Sequence, residues 1–385
     1  MKRYPVAIWM LALGAFAIGM TEFVIMGLLP NVARDLNVSV STAGQLITGY
    51  ALGVAIGGPI IVLLTYHLNR KHLLILLMVI FILGNVLSAV SPTYGILMVS
   101  RIVTSLAHGS FFGIGSILAA SLVSPNRRAS AMALMFMGLT LSNILGVPFG
   151  TLVGQNFGWQ MTFLIIAVIG ALSLLGILKF VPYSDDSHKA SLKEELSILG
   201  RLRLWLTLCV TLFGFSSVFA YFTYISSILT DLSHIPESLI SAILILFGVG
   251  VTLGNVVGGR LADRNINRAL SLIFIVFLCY FMVLYFIQFN AWLMVIGVFI
   301  FGFIGFSMSP SLQFKSTLVS QDAPTLASTL NQSAFNLGNA MGAFVGGMVI
   351  THLPLKFLSL IAPILTLIGL IFLMLVIMVE RKEAA

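Results

Sequence analysis

Charged residues are scarce in this chain of 385 residues, in which Asp, Glu, Lys and Arg together make up only 8%. Soluble globular proteins carry about 25% charged residues, so the composition excludes a protein that is covered by water on all sides. Hydrophobic residues make up 59%, and the mean hydropathy is +1.09. This excess of apolar side chains needs a second apolar solvent, and the lipid bilayer provides it.

Cysteine and catalytic motifs are also nearly missing. The two cysteines, Cys209 and Cys279, lie in apolar stretches away from any His or Cys at metal-binding spacing, so we predict neither a disulfide nor a metal site. The chain has no phosphate-binding G-x-x-x-x-G-K-[ST] motif, which excludes ATP as its energy source. With no nucleophile elbow or paired catalytic carboxylates, we expect no enzyme and no cofactor. The net charge of +8 comes without a basic cluster among aromatics, so we expect no nucleic-acid partner.

Long apolar runs alternate with short polar segments over the whole chain. A membrane-spanning helix needs about 20 predominantly apolar residues, and twelve runs meet that length. They predict an all-α membrane protein. The predicted spans cover residues 5–29, 43–66, 73–90, 94–123, 130–154, 159–181, 204–229, 239–262, 268–288, 291–318, 325–351 and 355–379.

The basic residues are distributed unevenly over the predicted loops. With the N-terminus inside, 17 of the 20 Lys and Arg residues fall in cytoplasmic segments and two, Arg34 and Lys356, fall in outer loops. Cytoplasmic loops of membrane proteins are enriched in Lys and Arg. The count therefore places both termini in the cytoplasm of a multi-pass membrane protein.

The two halves of the chain are related to each other. Sliding the sequence by 197 positions lays Gly53 on Gly250 and Gly57 on Gly254. We predict an N-terminal six-helix bundle over residues 1–181, a cytoplasmic linker over 182–203 and a C-terminal six-helix bundle over 204–385. Parallel repeats are typical of carriers that bind substrate near the bilayer midplane between the halves. A single chain supplies both halves, so we expect it to work as a monomer.

Small residues recur every fourth position in the fifth predicted span, where Gly146, Pro148 and Gly150 lie. Such a stripe lets a neighbouring helix approach closely, and the proline bends the span locally. We interpret this segment as a helix-packing device at the interface between the halves; tight packing alone is the alternative.

An acid is followed by several bases in the short segment between the eighth and ninth predicted spans. Asp263, Arg264 and Arg268 there predict a gating loop that locks helix ends by charge pairing in one conformation and releases them in another. The corresponding segment of the first half carries Arg70 and Lys71, but Tyr66 stands where the acid is expected. A simple cluster of topology signals is the alternative interpretation.

Only two charges lie clearly within the predicted spans, away from the span ends: Glu22 in the first and Arg101 in the fourth. A charge in the membrane is costly and is usually paired or functional. Desolvation favours the neutral form of a carboxylate and a nearby cation favours the charged form, so a conformational change can switch proton binding. We therefore assign proton coupling to Glu22 and Arg101, against the alternative of a static ion pair. His108 lies seven residues after Arg101 on the same helical face and is either a proton relay or a packing residue.

Polar and aromatic side chains inside other spans predict a cavity that hydrogen-bonds an uncharged polar substrate. Hydrogen bonding between helices is the alternative role. These residues are Asn143, Tyr221, Thr223, Tyr224, Asn331, Gln332, Asn336 and Asn339.

Four segments carry a resemblance to a known family. The chain resembles the twelve-helix drug:proton antiporter branch of the major facilitator superfamily, in particular the sugar (arabinose-type) efflux, chloramphenicol-resistance and purine efflux permeases. The resemblance covers essentially the whole chain. The segments are GMTEFVIMGLLP (19–30), RIVTSLAHGSFFGIG (101–115), AYFTYI (220–225) and NLGNAMGAFVGG (336–347).

The resemblance implies the major facilitator fold, with two pseudo-symmetric six-helix bundles, in a bacterial inner membrane. It gives Arg101 the role of the family's proton-coupling arginine, Glu22 that of the first-span acid, and Asp263 with its basic neighbours that of the gating motif. Val147 stands before the span-five proline where antiporters of the family have glycine, which weakens the inference of antiport. We expect proton-driven export of a small organic solute; import by the same fold and a non-transporting membrane sensor are the alternatives.

Overall fold

The computed structural model describes residues 4–65, 68–124, 128–183, 197–319 and 324–383, and within these ranges the chain is helical with no strand. The helices of the first half are α1 (Val6–Asp35), α2 (Val40–Thr65), α3 (Arg70–Ala89), α4 (Tyr94–Ser121), α5 (Arg128–Leu141), α6 (Val147–Phe157) and α7 (Trp159–Phe180). Those of the second half are α8 (Leu202–Phe222), α9 (Ile225–Ser227), α10 (Glu237–Ile287), α11 (Ala291–Val319), α12 (Pro324–His352) and α13 (Leu358–Glu383).

Eleven helical segments of the described chain, with α5 and α6 counted as one, are long and apolar enough to cross a membrane. One of them, α10, has 51 residues, or about 77 Å if it were straight, whereas the hydrocarbon core is only about 30 Å thick. Its backbone leaves the helical region at Asn265, with φ −163° and ψ 105°. The predicted spans 239–262 and 268–288 lie on either side of that residue, so the eleven helices contain the twelve predicted spans.

Asn265 also begins the second part of α10 by a local hydrogen bond. Its side-chain oxygen accepts from the backbone N–H of Arg268 at 3.0 Å, which is the pattern of an N-cap residue. Asparagine suits this role because a short side chain with an acceptor can satisfy a free N–H of the first helical turn.

The fifth predicted span is interrupted immediately before its proline. Residues Ser142–Gly146 form a π-turn between α5 and α6, and Pro148 is at the start of α6. Proline has no N–H to donate to the preceding turn, and the rare π-helical hydrogen bonding occurs mostly as single turns inside α-helices. Gly146, Gly150 and Gly154 all face α1, where the nearest side chains are those of Phe16, Met20, Val24 and Leu28, together with Thr162 of α7.

The chain forms two compact units, Met1–Ser39 with Gly49–His188, and Val40–Thr48 with Lys189–Ala385. The beginning of α2 belongs to the second unit because the Ser41 hydroxyl donates to the carbonyl of Gly347 at 2.9 Å. The boundary between His188 of the first unit and Lys189 of the second unit falls inside the predicted linker 182–203. Residues 184–196 of that linker lie outside the described ranges.

In the first unit, α1 packs against α4, α5, α6 and α7, and α3 packs against α4 and α7. In the second unit, α8 packs against α11, α12 and α13, and α10 packs against α11 and α13. Large apolar side chains point outward from both units, as Leu64 at 68% and Phe286 at 76% exposure do. An apolar exterior is what a helix bundle dissolved in lipid requires.

A similar serine-to-glycine hydrogen bond occurs in each unit, three to four positions away from the 197-residue offset of the internal repeat. In the first unit the Ser110 hydroxyl on α4 donates to the carbonyl of Gly58 on α2 at 3.1 Å. In the second unit the Ser311 hydroxyl on α11 donates to the carbonyl of Gly258 on α10 at 3.2 Å. Each bond joins two helices at a glycine that permits close backbone approach.

Candidate functional site

Glu22 lies in the middle of α1 and is only 3% exposed. Its Oε2 atom is 3.9 Å from Nε2 of His108, and its Oε1 atom is buried without a hydrogen-bond partner. A buried carboxylate oxygen that no donor satisfies is rare in stable folds. Such a group indicates either a functional site or a strained one.

Arg101 lies on α4 and is 1% exposed. One guanidinium nitrogen donates to the backbone carbonyl of Thr21 at 2.7 Å, whereas Nε and the other terminal nitrogen have no hydrogen-bond partner. The guanidinium carbon lies 4.1 Å from the centre of the Tyr50 ring and 6.0 Å from that of Phe163. The cation is therefore held by a carbonyl dipole and by aromatic faces.

The two membrane charges are neighbours but do not form an ion pair. The contacts of Arg101 go to Thr21 and to two aromatic rings, and the ionic contact of Glu22 is with His108. The static ion pair that was the alternative at the sequence level is thus not formed in this structure. One carboxylate oxygen of Glu22 is left without a hydrogen-bond partner.

His108 lies two turns after Arg101, on the same face of α4, as the seven-residue spacing predicts. Its Nδ1 atom is 3.1 Å from the hydroxyl of Tyr50, and its ring packs edge-on against Phe112 at 5.3 Å. The imidazole is 6% exposed and lies between a tyrosine hydroxyl and a carboxylate. The distance to Glu22 is longer than a hydrogen bond, so the proton-relay role stays a prediction.

Two residues of this site were not identified in the sequence analysis. Tyr50 on α2 contacts both Arg101 and His108. Asn85 on α3 accepts a hydrogen bond from the Thr21 hydroxyl at 2.7 Å and donates to the carbonyl of Phe81 at 2.9 Å, which fixes the backbone beside Glu22. A polar residue deep in an apolar run is the signal by which Asn85 could have been found.

The residues predicted to line a substrate cavity are distributed over both units and make different contacts. In the first unit, Asn143 lies in the π-turn and donates to the carbonyl of Leu139 at 3.2 Å. In the second unit, Gln332 on α12 is exposed, and Asn331 accepts from Thr211 at 2.6 Å and donates to Gln313 at 2.8 Å. The bonds of Asn331 fit the alternative of hydrogen bonding between helices.

Asn336 and Asn339 share one face of α12 and are 2% and 1% exposed. Asn336 donates to the carbonyl of Gln332 at 3.0 Å, but its side-chain oxygen is unpartnered. Neither amide atom of Asn339 has a hydrogen-bond partner. These free amide groups are the ones that a bound polar molecule could satisfy, and their assignment to the substrate remains a prediction.

Tyr221, Thr223 and Tyr224 lie where α8 ends and the short α9 begins. The hydroxyl of Tyr224 donates to the carbonyl of Ala343 on α12 at 2.8 Å, which is a contact between helices. The hydroxyls of Tyr221 and Thr223 are buried without a partner, and the Tyr221 ring packs against Phe281 and Phe301.

The predicted gating loop lies at the break in α10. Asp263, Arg264 and Arg268 are exposed, and no ion pair joins Asp263 to a described residue. In the first unit, Lys71 donates to the carbonyl of Leu178 near the end of α7 at 3.0 Å, while Arg70 begins α3 and Tyr66 lies outside the described ranges. A latch made by Asp263 therefore stays a prediction.

The structure shows a charge cluster in the second unit that the sequence did not predict. Nζ of Lys315, a residue 2% exposed, donates to Glu380 and to Asn267, both at 2.6 Å. Asn267 and Arg203 also contact Glu380, at 2.9 and 3.1 Å. The cluster joins α8, α10, α11 and α13. In the sequence analysis Lys315 was one of the 17 basic residues counted in cytoplasmic segments.

We expect Glu380→Gln to lower the free energy of unfolding by about 2 kcal/mol. Removing one partner of a buried ion pair leaves the other charge uncompensated. The glutamine oxygen can still accept a hydrogen bond from Lys315, so we expect a smaller loss of stability than the largest losses seen when such pairs are broken. Thermal unfolding in detergent measures the effect. Asp263→Asn, which alters an exposed carboxylate, is the matched control; equal melting temperatures for the two variants would contradict the prediction.

Among the described residues, no group of three or more His, Cys, Asp or Glu side chains could hold a metal ion. Cys209 and Cys279 are free thiols.

Comparison with known proteins places this chain among membrane transporters. A family model described as "Major Facilitator Superfamily" matches residues 11–325 and 234–385. The chain is 43% identical over 374 residues to the "Inner membrane transport protein YdhP" of Escherichia coli (strain K12), covering 97% of this chain and 95% of the relative. It is 30% identical over 352 residues to a "Chloramphenicol resistance protein" of Streptomyces lividans, covering 90% of each.

The fold is also that of a solved transporter. A bacterial homologue of the human lysosomal transporter Spinster, in an inward-facing and unoccupied conformation, superposes with a TM-score of 0.78 at 14% identity, covering 97% of this chain and 98% of the other. Together with the family match, this confirms the predicted fold class and the resemblance read from the sequence.

Proposed function

Because this chain belongs to the Major Facilitator Superfamily and is a multi-pass membrane transport protein rather than an enzyme, we propose that it exports a small organic solute by proton antiport. In this mechanism the chain alternates between two conformations. Glu22 carries the proton, and Arg101 and His108 set when the proton is bound and released.

The observation that carries this proposal is the state of Glu22. The carboxylate is 3% exposed, lies inside a membrane span and leaves Oε1 without a partner. An acid that is permanently paired with a cation stays in its charged form. Glu22 has no such ion pair with the neighbouring guanidinium. Acids in such surroundings are usually functional.

Arg101 supports the proposal by its incomplete hydrogen bonding. Two of its guanidinium nitrogens have no hydrogen-bond partner, so a small shift of α1 against α4 can bring a carboxylate within reach. A cation close to the acid favours the charged form, and withdrawal of the cation favours the protonated form. Alternation between the two arrangements couples conformation to proton binding.

Export and an uncharged organic substrate are supported by weaker observations. One relative is named as a chloramphenicol resistance protein, a name that fits removal of a toxic solute. The unpartnered amide groups of Asn336 and Asn339 offer hydrogen bonds without charge. Proton-coupled import by the same fold is the second candidate, since the Glu22 site serves either direction; family membership opposes a sensor that transports nothing.

We expect purified protein in proteoliposomes to move protons when substrate is added. The measurement uses a pH dye inside the vesicles and a panel of amphipathic drugs, sugars and nucleobases. A substrate-dependent pH change that an uncoupler abolishes would establish coupling, because only carrier-mediated exchange links the two fluxes.

The sign of the pH change separates the two candidate directions, since antiport and symport move protons oppositely with respect to substrate. Solute movement that is indifferent to the proton gradient and to uncouplers would overturn proton coupling. Empty vesicles and vesicles with heat-denatured protein are the controls for leakage.

A further inference from the structure

Tyr50 is the one side chain of the first-unit site that contacts both basic groups. It is 1% exposed; its ring lies under the guanidinium of Arg101 with 4.1 Å to the ring centre, and its hydroxyl is 3.1 Å from Nδ1 of His108. It comes from α2, whereas Glu22 is on α1 and His108 on α4. Ring and hydroxyl thus make two different contacts that mutation can separate.

The Tyr50 hydroxyl and Glu22 face different ring nitrogens of His108, so both act on which nitrogen carries the proton. In a neutral imidazole one nitrogen donates and the other accepts, and the partner of one nitrogen fixes the role of the other. When the Tyr50 hydroxyl donates to Nδ1, the N–H is on Nε2 and points to Oε2 of Glu22 at 3.9 Å. The opposite tautomer would present a lone pair to the carboxylate.

We propose that Tyr50 is a positioning residue for proton coupling, which holds His108 with its Nε2–H toward Glu22 and thereby sets the pH range in which transport is coupled. This inference rests on the proposed function and assigns it a further residue. The distance of 3.9 Å is longer than a hydrogen bond, so the link is open in this structure and closes by a movement of about 1 Å.

The surroundings of His108 leave few other groups to determine its tautomer. The described charged and titratable groups around it are Glu22 from α1, Tyr50 from α2 and Arg101 from its own helix. The remaining ring contact is with Phe112, which has no hydrogen-bonding atom. Removing the Tyr50 hydroxyl therefore removes the hydrogen bond at Nδ1, which is one of the two polar contacts that act on the tautomer.

We expect Tyr50→Phe to keep transport but to move its pH dependence upward by about half to one unit, the size expected for one hydrogen bond. Without the hydroxyl, His108 presents its Nε2 lone pair to Glu22 for part of the time, which favours the protonated acid, so the acid keeps its proton to higher pH. The phenylalanine retains the ring beneath Arg101. The measurement is proton-driven export in proteoliposomes over a range of pH.

Tyr280→Phe is the matched control, because the buried Tyr280 hydroxyl donates to the carbonyl of Gly297 at 2.6 Å in the second unit. It loses a comparable hydrogen bond away from the site, so its pH profile should equal that of the wild type. In a His108→Gln background, Tyr50→Phe should produce no further shift, since its effect acts through the imidazole. An unchanged profile for Tyr50→Phe, or the same shift in both backgrounds, would overturn the inference.

A spectroscopic measurement tests the same inference without transport. In protein labelled with ¹⁵N-histidine, the His108 signals, assigned by their loss in His108→Gln, should show the Nε2–H tautomer in the wild type and a mixture in Tyr50→Phe. A wild type on the Nδ1–H tautomer contradicts the role of Tyr50. If the tautomer is as expected but the wild type shows no proton coupling, the proposed function fails, and with it the link from Tyr50 to transport.

Discussion

Glu22→Gln should reduce uphill export to the level of empty vesicles while the protein still inserts and folds. Glutamine has the shape of a protonated glutamic acid and cannot release a proton, so the chain is held in the proton-bound state of the cycle. The oxygen that faces His108 is retained, which limits the structural damage. The measurement is substrate accumulation against a gradient in proteoliposomes with an imposed pH difference.

The same variant should still exchange substrate down its concentration gradient, because conformational alternation does not itself consume a proton. Exchange thus shows that the variant is folded and active. Asp231→Asn, a change at an exposed acid of the second unit that interacts with Thr230, is the matched control and should export normally. Full uphill export by Glu22→Gln would remove Glu22 from the coupling mechanism.

Gly258→Ala should lower the free energy of unfolding by about 3 kcal/mol, toward the upper range for overpacking a close contact. A Cβ at this position would overlap the carbonyl oxygen of Ser307 on α11, which is backbone and cannot rotate away. α10 and α11 would have to separate, and the hydrogen bond from Ser311 to the Gly258 carbonyl would lengthen. Thermal unfolding in detergent measures the loss.

The neighbouring glycine provides an internal control with the opposite expected sign. A Cβ on Gly259 meets only the Pro310 side chain, at 4.0 Å, which is an ordinary contact. Gly259→Ala should therefore stabilise α10 by up to about 1 kcal/mol, the difference in helix propensity. Equal effects of the two substitutions would show that α10 and α11 do not pack through Gly258 as the structure has it.

The sequence by itself determined the environment, the helices and the two membrane charges. The predicted span 94–123 corresponds to α4 (Tyr94–Ser121), and span 159–181 corresponds to α7 (Trp159–Phe180). This agreement has a physical reason: in hydrocarbon every backbone group must be bonded within its own helix, so an apolar run of sufficient length has no other stable form. The position of His108 relative to Arg101 followed from helical periodicity for the same reason.

Local sequence also indicated where helices are interrupted, but not in what way. Pro148 predicted a bend, and the structure forms a π-turn over Ser142–Gly146 before it. The polar segment between predicted spans eight and nine became a break at a single residue, Asn265, within one continuous helix. A proline or a polar segment in the sequence shows that the helix is weakened there. The packing of the neighbouring helices then determines the local backbone geometry.

Only the tertiary structure decided which side chains meet. Tyr50 and His108 are 58 residues apart, and Lys315 and Glu380 are 65 apart, so each contact depends on how one helix is rotated and shifted against another. Hydropathy determines neither the rotation nor the shift of a helix, because an apolar helix face packs equally well against lipid and against protein. Close approach at glycines such as Gly258 and the positions of rare polar groups select one packing, and that packing left Glu22 beside Arg101 without an ion pair between them.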